Sequence, residues 1–403
     1  MNQNEIWLVA VTAGRWQRHG IREAQAAGLK VLAIDADPNA EGFGDADQVL
    51  NIELSDHDAV VRALSALDKN IQGSVSFVSE GGMLLAAHIR ETFNLAGPRM
   101  NLCQRLINKA IQRRIWSESG VPGPRWATFR DAEGVLDVAS KFGFPLIIKP
   151  TDSSGSRGVT KIESADDNLV DAVGRAFMFS RSGEVILEEF MDGTEFTVEV
   201  FAVDSKIHVL AVTEKKKVDG TRGTVACELA TSERSQEVLA RIADAAVGAF
   251  RALGYAEGPG HAEVILKNDG SVGLVEVAGR GGGFMVFDGL VPKISGVNIA
   301  RLTALQAVGL PVGEVTNWQK SAVLRFFPSR PGVLRNISGF QQANLIDGVE
   351  AAPFAKVGDR FHQATVDGDR LGYILSCADT PRRAQELADK AEQAINFEIV
   401  DVL

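Results

Sequence analysis

In the first quarter of the chain, short apolar runs alternate with longer amphipathic segments. The runs at 6–11, 31–35 and 74–79 have the length of buried strands, and the stretch 83–93 has the period of a helix. Strands that alternate with helices are typical of a parallel sheet covered on both faces. The pattern therefore predicts an α/β protein that begins with a doubly wound parallel-sheet domain over residues 1–105.

The rest of the chain divides into three further segments. A helical pattern over 101–120 ends at Gly120, and Pro122 and Pro124 then favour an extended connection. The predicted segments are a helical linker with a small α+β unit, a larger α+β unit and an α+β tail, at 106–188, 189–320 and 321–403. Their predicted helices lie at 132–142, 165–178, 233–253 and 381–394, and their predicted strands at 145–149, 159–162, 185–189, 196–203, 208–213, 261–266, 272–277, 323–327, 360–366 and 371–378.

Composition narrows the class of protein. The chain has 403 residues, of which 45% are hydrophobic and 23% charged, and a net charge of −10. This apolar content excludes disorder of the whole chain, and the acidic balance argues against nucleic acid or an anionic membrane as a partner. The three cysteines form no CxxC pair, and no apolar stretch has the length of a membrane span. We therefore expect a soluble protein of the cytoplasm with reduced thiols.

The turn after the first strand argues against a dinucleotide site. That turn reads TAGRWQRHG, with bulky residues where a GxGxxG loop needs glycines, and no GxxxxGK[ST] loop occurs elsewhere. Asp35 stands where an acid that binds ribose would stand. We favour the simpler interpretation, in which Asp35 only ends its strand.

The stretch 144–159 predicts a phosphate site. An apolar strand carries Lys149, and the loop after it is built of small residues and two glycines. The backbone amides and hydroxyl groups of such a loop bind phosphate oxygens, and a lysine at the strand end adds positive charge. The alternative is a surface turn, but a charge within an apolar strand needs a partner.

Two glutamates predict a metal site. The stretch 261–280 reads as two strands joined by an Asn-Asp-Gly turn, which is typical of a hairpin. Glu263 and Glu276 lie at nearly matching distances from that turn, so we expect them to face each other. Adjacent carboxylates repel unless a cation lies between them, and magnesium suits a cavity that also holds phosphates. The alternative is a solvated sheet face with two glutamates opposed by chance.

A hairpin at 185–200 is ordinary when read alone. Its turn follows Phe190 and Met191, which are suited to flank a flat base.

After the second metal candidate, Glu276, come Arg280 and three glycines at 281–283. An arginine there is suited to bind a phosphoryl or carboxylate group, and the glycines admit a ligand close to the backbone.

Together these stretches resemble the ATP-grasp superfamily, and more narrowly its carboxylate–amine ligase branch, which includes L-amino-acid ligases that make dipeptides. The resemblance covers most of the chain, and its specific motifs are NKAIQRR, IIKPTDSSGSRGV, LEEFMDGTEFTVE and HAEVIL…LVEVAGRGGG. It implies a pre-ATP-grasp domain, a small lid and a larger C-terminal domain. It also implies ATP and Mg²⁺, or Mn²⁺ in its place, as cofactors. Similar enzymes are commonly dimers, so a homodimer is one expected assembly.

The resemblance also implies roles for individual residues. It assigns Lys109 and Lys149 to the ATP phosphates, Glu188 to the adenine amino group, the Met191 backbone to the ring and Glu195 to the ribose. The loop 151–158 would close over the phosphates, and the nucleotide-binding set is completed by Ser153, Ser154, Gly155, Ser156, Gly158, Glu189 and Phe190.

The implied reaction joins a small acid to an amine. Glu263 and Glu276 would hold magnesium, and Arg280 would stabilise the acyl phosphate that the acid forms at the expense of ATP. The expected substrate pocket is formed by Glu80, Arg280, Gly282, Gly283 and the segment 284–296. For Glu80, a solvated position at a helix entry is the alternative.

Two departures from the superfamily pattern stand out. Ala278 stands where most of the superfamily has an asparagine, two residues after the second metal glutamate, and several amino-acid-ligase relatives also have a small residue there. In the segment 221–232, where relatives often carry a histidine motif, Glu228 or Arg222 is a possible replacement. Of the lysines at 215–217, one is suited to reach a phosphate, and a solvated run is the expectation for the others.

Two other functions fit the same motifs. One is an ATP-grasp carboxylase or acyltransferase that uses bicarbonate, formate or a thiol. The other is a non-catalytic module that binds ATP, although retention of both lysines and both metal glutamates argues against it.

Overall fold

The computed structural model describes residues 5–164, 168–218, 225–315 and 319–401. Its N-terminal domain holds a parallel sheet in the order β3-β2-β1-β4. The strands and helices are β1 (Trp7–Val11), α1 (Arg18–Ala26), β2 (Lys30–Asp35), β3 (Gln48–Asn51), α2 (His57–Ser65), β4 (Ile71–Val75) and α3 (Met83–Thr92). This confirms the predicted α/β fold with a parallel sheet at its start. The strand predicted at 74–79 was wrong in its bounds, and β3, whose side chains are half exposed, had not been predicted.

The linker contains two helices rather than the single predicted one. They are α4 (Met100–Ile107) and α5 (Lys109–Ser119). Between them, Asn108 has an extended backbone, and its side chain accepts a hydrogen bond from the Ile111 amide, as an N-cap residue does. The helical pattern predicted over 101–120 is therefore present but interrupted at Asn108. The break makes Lys109 the first residue of α5.

The next segment is a small antiparallel sheet with two helices. Its elements are β5 (Trp126–Phe129), α6 (Ala132–Phe142), β6 (Leu146–Pro150), β7 (Thr160–Ile162), α7 (Leu169–Phe179) and β8 (Val185–Glu189). The strand order is β5-β8-β6-β7, and both helices pack an apolar face on the sheet. The predicted elements at 132–142 and 185–189 are confirmed. Residues 165–167, where a helix was predicted to begin, lie outside the described residues.

An eight-stranded sheet forms the centre of the protein, in the order β13-β12-β9-β10-β11-β14-β18-β16. Five of its strands and the helices that accompany them come first in the chain. They are β9 (Gly193–Val203), β10 (Lys206–Lys217), β11 (Ala226–Thr231), α8 (Gln236–Leu253), β12 (Gly258–Lys267), β13 (Val272–Ala278), α9 (Val291–Ser295) and α10 (Ile299–Ala307). The helix α8 covers one face, where Phe250 packs among the side chains of β9 and β12. The chain after β13 lies against the other face.

The tail joins this same sheet. It comprises β14 (Ser321–Pro328), β15 (Gly332–Ser338), α11 (Phe340–Ala343), β16 (Val349–Pro353), β17 (Arg360–Phe361), β18 (Arg370–Ala378), α12 (Pro381–Ala394) and β19 (Asn396–Val400). Strand β14 pairs with β11, while β15, β17 and β19 form a separate small sheet. The helix predicted at 381–394 is confirmed, whereas the strand predicted at 360–366 has only two residues. In the described parts of the chain, no helix has the length and apolarity that a membrane span requires.

Candidate active site

A cleft of about 970 Å³ lies between the N-terminal domain, the small sheet and one face of the central sheet. It gathers nearly all of the site residues predicted from the sequence. Those that line it are Glu80, Lys109, Lys149, Ser153, Ser154, Gly155, Ser156, Glu188, Glu189, Phe190, Met191, Glu195, Glu263, Glu276, Arg280, Gly282 and Gly283. Gly158 is the exception, since it lies in the loop but not in the cleft lining.

The two predicted metal ligands are direct partners across the hairpin of β12 and β13. Glu263 pairs with Glu276, and the register shifts directly after Glu263. This confirms that the carboxylates face each other, because opposed residues of an antiparallel pair lie on one face. Their role as metal ligands stays a prediction.

The donor set fits magnesium. Among the residues that the structure describes, no group of three or more His, Cys, Asp and Glu side chains is placed to hold a metal ion. Magnesium, however, is usually bound through one or two carboxylates together with substrate phosphates and water. Two opposed glutamates in a cleft that also contains lysines meet that requirement.

Lys109 contacts both the metal candidate Glu276 and the loop 151–158. Its Nζ lies 3.0 Å from Oε2 of Glu276 and donates a hydrogen bond to the Ser153 carbonyl at 2.7 Å. Burial disfavours the charged lysine, but Glu276 raises the pKa of Lys109 above its ordinary value. The side chain is therefore a buried cation at the base of the loop.

Lys149 belongs to a buried ionic triad. Its Nζ lies 2.8 Å from Oε2 of Glu188, whose Oε1 lies 2.7 Å from Nε of Arg113. Burial lowers the pKa of Lys149, whereas for Glu188 the two cations outweigh burial and lower the pKa of the carboxyl group. Arg113 was not singled out as a site residue. Arg113 lies on α5 and Glu188 on β8, so their contact at the base of the predicted adenine pocket joins two distant segments of the chain. The local sequence pattern does not reveal such a contact.

The loop after β6 contains three residues with a left-handed backbone conformation. Gly155, Ser156 and Gly158 all have positive φ angles, of 66°, 60° and 75°. A Cβ at Gly158 would lie 2.9 Å from Cγ of Pro150 and 3.0 Å from Cβ of Phe179. Gly158 therefore packs the loop against α7, which explains why it lies behind the cleft lining.

The hinge between β8 and β9 forms one wall. Phe190 and Met191 line the cleft there, and the ammonium of Lys161 lies 3.9 Å from the centre of the Phe190 ring. Glu189 reaches Arg125, 3.1 Å away. A flat aromatic wall with a nearby cation suits a purine ring.

Most of the lysines at the end of β10 are paired with carboxylates in the cleft and do not form a solvated run. The Nζ of Lys215 lies 2.5 Å from a carboxylate oxygen of both Glu195 and Glu263, and Lys217 reaches the other oxygen of Glu195. Burial disfavours the charge on Lys215, but its two carboxylates raise the pKa well above the ordinary value. Strand alternation, which places Lys215 and Lys217 on the opposite face from Lys216, is the signal that could have found them.

Sequence reasoning also missed a buried histidine–glutamate pair. Nδ1 of His261 lies 2.5 Å from Oε1 of Glu199, and Nε2 lies 3.7 Å from Glu263. Burial opposes the imidazolium, but Glu199 and Glu263 raise the pKa of His261 to about 9. The pair exists because β12 lies beside β9, where His261 is opposite Glu199. The same pairing places a cation next to the predicted metal ligand.

Glu80 lies at the predicted substrate end of the cleft. Its Oε1 accepts a hydrogen bond from Nη2 of Arg280 at 2.7 Å. A Cβ at Gly282 would lie 2.5 Å from Cγ1 of Val286 and 3.3 Å from Oε1 of Glu199, so a side chain there would clash with Val286, whereas Gly283 has open space. Asp35 accepts hydrogen bonds from the Ala13 and Asp37 amides, in agreement with its expected role at a strand end.

The suggested replacements for the histidine motif fall elsewhere. Glu228 is buried away from the cleft, 2.6 Å from Lys216 and 2.7 Å from Arg325. It therefore belongs to an ionic network under α12. Arg222 and the rest of 219–224 lie outside the described residues.

Comparisons with known proteins agree with this geometry. The family model of an ATP-grasp domain matches residues 142–288, and that of the L-amino acid ligase C-terminal domain 2 matches 325–400. The crystal structure of an L-amino acid ligase from Bacillus licheniformis superposes with a TM-score of 0.84 at 21% identity, over 100% of both chains.

The curated relatives include named ligases. An uncharacterized protein y4rH from Sinorhizobium fredii is 26% identical over 96% of this chain and 81% of its own length. A D-alanine–D-alanine ligase from Pseudomonas fluorescens is 28% identical, over 49% of this chain and 60% of the ligase. The chain therefore has the ATP-grasp fold, with an ATP-grasp domain at 142–288 and a domain similar to the L-amino acid ligase C-terminal domain 2 at 325–400.

Proposed function

We propose that this protein is an ATP- and magnesium-dependent ligase that couples a small carboxylic acid, such as an amino acid, to an amine. The products are an amide, ADP and phosphate. One observation carries the proposal: Glu263 and Glu276 oppose each other in the same cleft as Lys109 and Lys149. Paired carboxylates beside buried lysines form a suitable site for a metal-bound nucleoside triphosphate.

Nucleotide binding in this proposal depends on Lys149 of the triad, on Lys109 and on the hinge between β8 and β9. Lys149 and Lys109 supply positive charge for the phosphates, and the amides of the loop 151–158 add donors. Phe190 and Met191 supply the wall for the base. Glu195 would have to exchange its present lysine partners for ribose hydroxyl groups.

Glu263 and Glu276 would hold the magnesium ion. When bound, magnesium neutralises phosphate charge and orients the terminal phosphoryl group. Lys215 already lies against Glu263, so its ammonium is placed to move from the carboxylate to a phosphate oxygen.

The chemistry then proceeds in two steps. An oxygen of the acid attacks the γ-phosphorus, the bond to the β-phosphate oxygen breaks, and an acyl phosphate and ADP form. The amine attacks the acyl carbon, phosphate leaves with the bonding pair, and the amine loses a proton. Arg280 offsets the negative charge of the acyl phosphate, while the loop above it excludes water from the anhydride.

Purified protein tests the proposal directly. ADP release is measured over a matrix of amino acids with ATP and Mg²⁺, and ligated products are detected by mass. A parallel panel with thiols and bicarbonate separates a carboxylase or acyltransferase from an amide-forming ligase. If ATP binds normally and no mixture releases ADP above background, the protein is a nucleotide-binding module and the proposal fails.

A further inference from the structure

The metal candidate Glu276 lies beside an irregularity in its strand. Along β13 the register with β12 passes from Glu276 directly to Leu274, so Val275 is the extra residue of a β-bulge. A bulge bends its strand and changes the direction in which the neighbouring side chains point. The direction of Glu276 toward Glu263 therefore depends on how the backbone at 275–277 is held.

Neighbouring strands hold β13 from one side only. It is the edge of the eight-stranded sheet, and β12 is its neighbour there. The N–H and C=O groups on the outer side of an edge strand have no partner within their sheet. Where such groups are buried they need a partner from elsewhere, because an unpaired buried backbone group costs free energy.

Helix α5 supplies such partners through Gln112, which is only 1% exposed. The side-chain amide of Gln112 donates a hydrogen bond to the Val277 carbonyl at 2.7 Å and accepts one from the Val277 N–H at 3.2 Å. These two bonds replace those that a further strand would make. The same amide nitrogen also donates to the Leu106 carbonyl at 3.0 Å, at the end of α4. Three hydrogen bonds therefore fix the orientation of this side chain.

Arg113 holds the other side of the bulge. Its Nη2 donates a hydrogen bond to the Val275 carbonyl at 2.6 Å, while its Nε faces Glu188. Helix α5 thus contacts the residue before Glu276 and the residue after it, and Lys109 at the start of the helix contacts the carboxylate itself. The linker helix is therefore the support on which the position of Glu276 depends.

We propose that Gln112 is a positioning residue for the metal ion: it fixes the backbone of β13 so that Glu276 stays directed at Glu263. The inference rests on the proposed ligase function and assigns part of the metal affinity to a side chain that does not line the cleft. Groups that orient a metal ligand from behind typically change metal affinity or activity by about 10- to 100-fold when they are replaced. If Gln112 only satisfied the edge of the sheet, its loss would lower stability and leave metal affinity unchanged.

Direct metal binding tests the inference without turnover. Mn²⁺ is the probe, because the free ion gives an electron paramagnetic resonance signal that is lost on binding. The protein is held in excess over a non-hydrolysable ATP analogue, and Mn²⁺ is titrated into the complex. If the wild-type complex binds Mn²⁺ no more tightly than the analogue alone does, the metal pair fails, and the proposed function fails with it.

The Gln112→Met variant keeps the length of the side chain and removes its three hydrogen bonds. We expect the dissociation constant for Mn²⁺ to rise about 10- to 100-fold. The affinity for the ATP analogue, measured with EDTA present, should change little. The Mg²⁺ concentration that gives half-maximal ADP release should rise by the same factor as the dissociation constant, with a smaller change in kcat.

Trp116→Phe is the matched control. Trp116 is also 1% exposed and lies on the same helix, where its indole N–H donates a hydrogen bond to the Ala249 carbonyl of α8 at 3.1 Å. The change removes a buried hydrogen bond of α5 but none to β13. We therefore expect lower stability together with the wild-type affinity for Mn²⁺.

Two results overturn the inference. One is an unchanged Mn²⁺ affinity in Gln112→Met, and ADP release by the wild type with an acid and an amine would then still support the ligase. The other is an equal loss of affinity in Trp116→Phe, since destabilisation of α5 would then explain both variants. If Gln112→Met does not fold, Gln112→Asn, which keeps the amide but is one methylene shorter, is judged by the same two results.

Discussion

The ammonium of Lys109 lies 3.0 Å from Oε2 of Glu276, so a lysine assigned to the nucleotide holds a carboxylate assigned to the metal. The same ammonium donates to the Ser153 carbonyl in the loop above. Any movement of Glu276 toward a metal ion therefore frees Lys109 for a phosphate. The two binding events are expected to favour each other, since each removes a competitor of the other.

Replacing Glu276 with glutamine tests the metal pair. We expect ADP formation to fall about 100- to 1,000-fold, because the variant loses a carboxylate that we propose as a ligand of the charge-neutralising ion. Steady-state ADP release across a magnesium titration measures the loss. Glu118→Gln, an exposed change on α5, is the matched control. Wild-type turnover in the Glu276 variant at low magnesium would contradict the assignment.

The buried triad predicts that its carboxylate matters more to stability than its lysine. Lys149→Met leaves Glu188 paired with Arg113, so we expect a loss of about 1–3 kcal/mol in the free energy of unfolding, together with a loss of nucleotide affinity. Adding Glu188→Gln should cost about 3–5 kcal/mol more, because it leaves the buried Arg113 without a carboxylate. Denaturant unfolding and ATP titration of both single variants and the double variant form the cycle. Additive stability changes would show that the two side chains do not interact.

The loop glycines provide a matched pair of changes. Gly155 and Gly158 both have positive φ, so alanine costs about 1–2 kcal/mol of backbone strain at either site. A Cβ at Gly155 meets nothing within 4 Å, whereas at Gly158 it lies 2.9 Å from Pro150. We expect Gly158→Ala to lower the melting temperature and the turnover rate more than Gly155→Ala. Equal effects would mean that the packing of the loop on α7 is unimportant.

Glu228 predicts a pH-dependent contribution to stability. Burial disfavours its charged form, but Lys216 and Arg325 outweigh burial and lower the pKa of Glu228 below its ordinary value of 4.5. The stabilisation is therefore complete above that value and is lost as the pH falls through the lowered pKa.

We expect Glu228→Gln to cost about 1–3 kcal/mol at pH 7, since a buried charged partner is left without its acceptor. The difference from wild type should shrink as the pH falls below 4.5, the ordinary value. Unfolding curves at several pH values measure it. A constant difference down to acidic pH would exclude an ionised Glu228 as its cause.

Features encoded within a short stretch were predictable from the sequence. The hairpin that opposes Glu263 and Glu276 depends on one Asn-Asp-Gly turn, so counting residues from the turn suffices. The strand at 185–189 and the helix at 381–394 are bounded by local signals and match the structure. The nucleotide assignments came from resemblance to a superfamily and not from pattern.

Features that depend on distant strand pairing were not predictable. The contact between His261 and Glu199 requires β9 to lie beside β12, although the two residues are 62 positions apart in the chain. The helix break at Asn108 is local but weakly encoded, because asparagine occurs within helices as well as at their caps. The ion pair of Arg325 with Glu228 gave no signal, since it forms only when β14 of the tail pairs with β11.

The pairing of β14 with β11 makes the tail continuous with the nucleotide-binding part of the central sheet. In a hybrid between this protein and a relative, the tail could not be exchanged as a separate module. The foreign tail would have to form the ladder of backbone hydrogen bonds between β14 and β11 again. The tails of such proteins are therefore expected to diverge by single substitutions along β14 and β18, and not by the shuffling of whole modules.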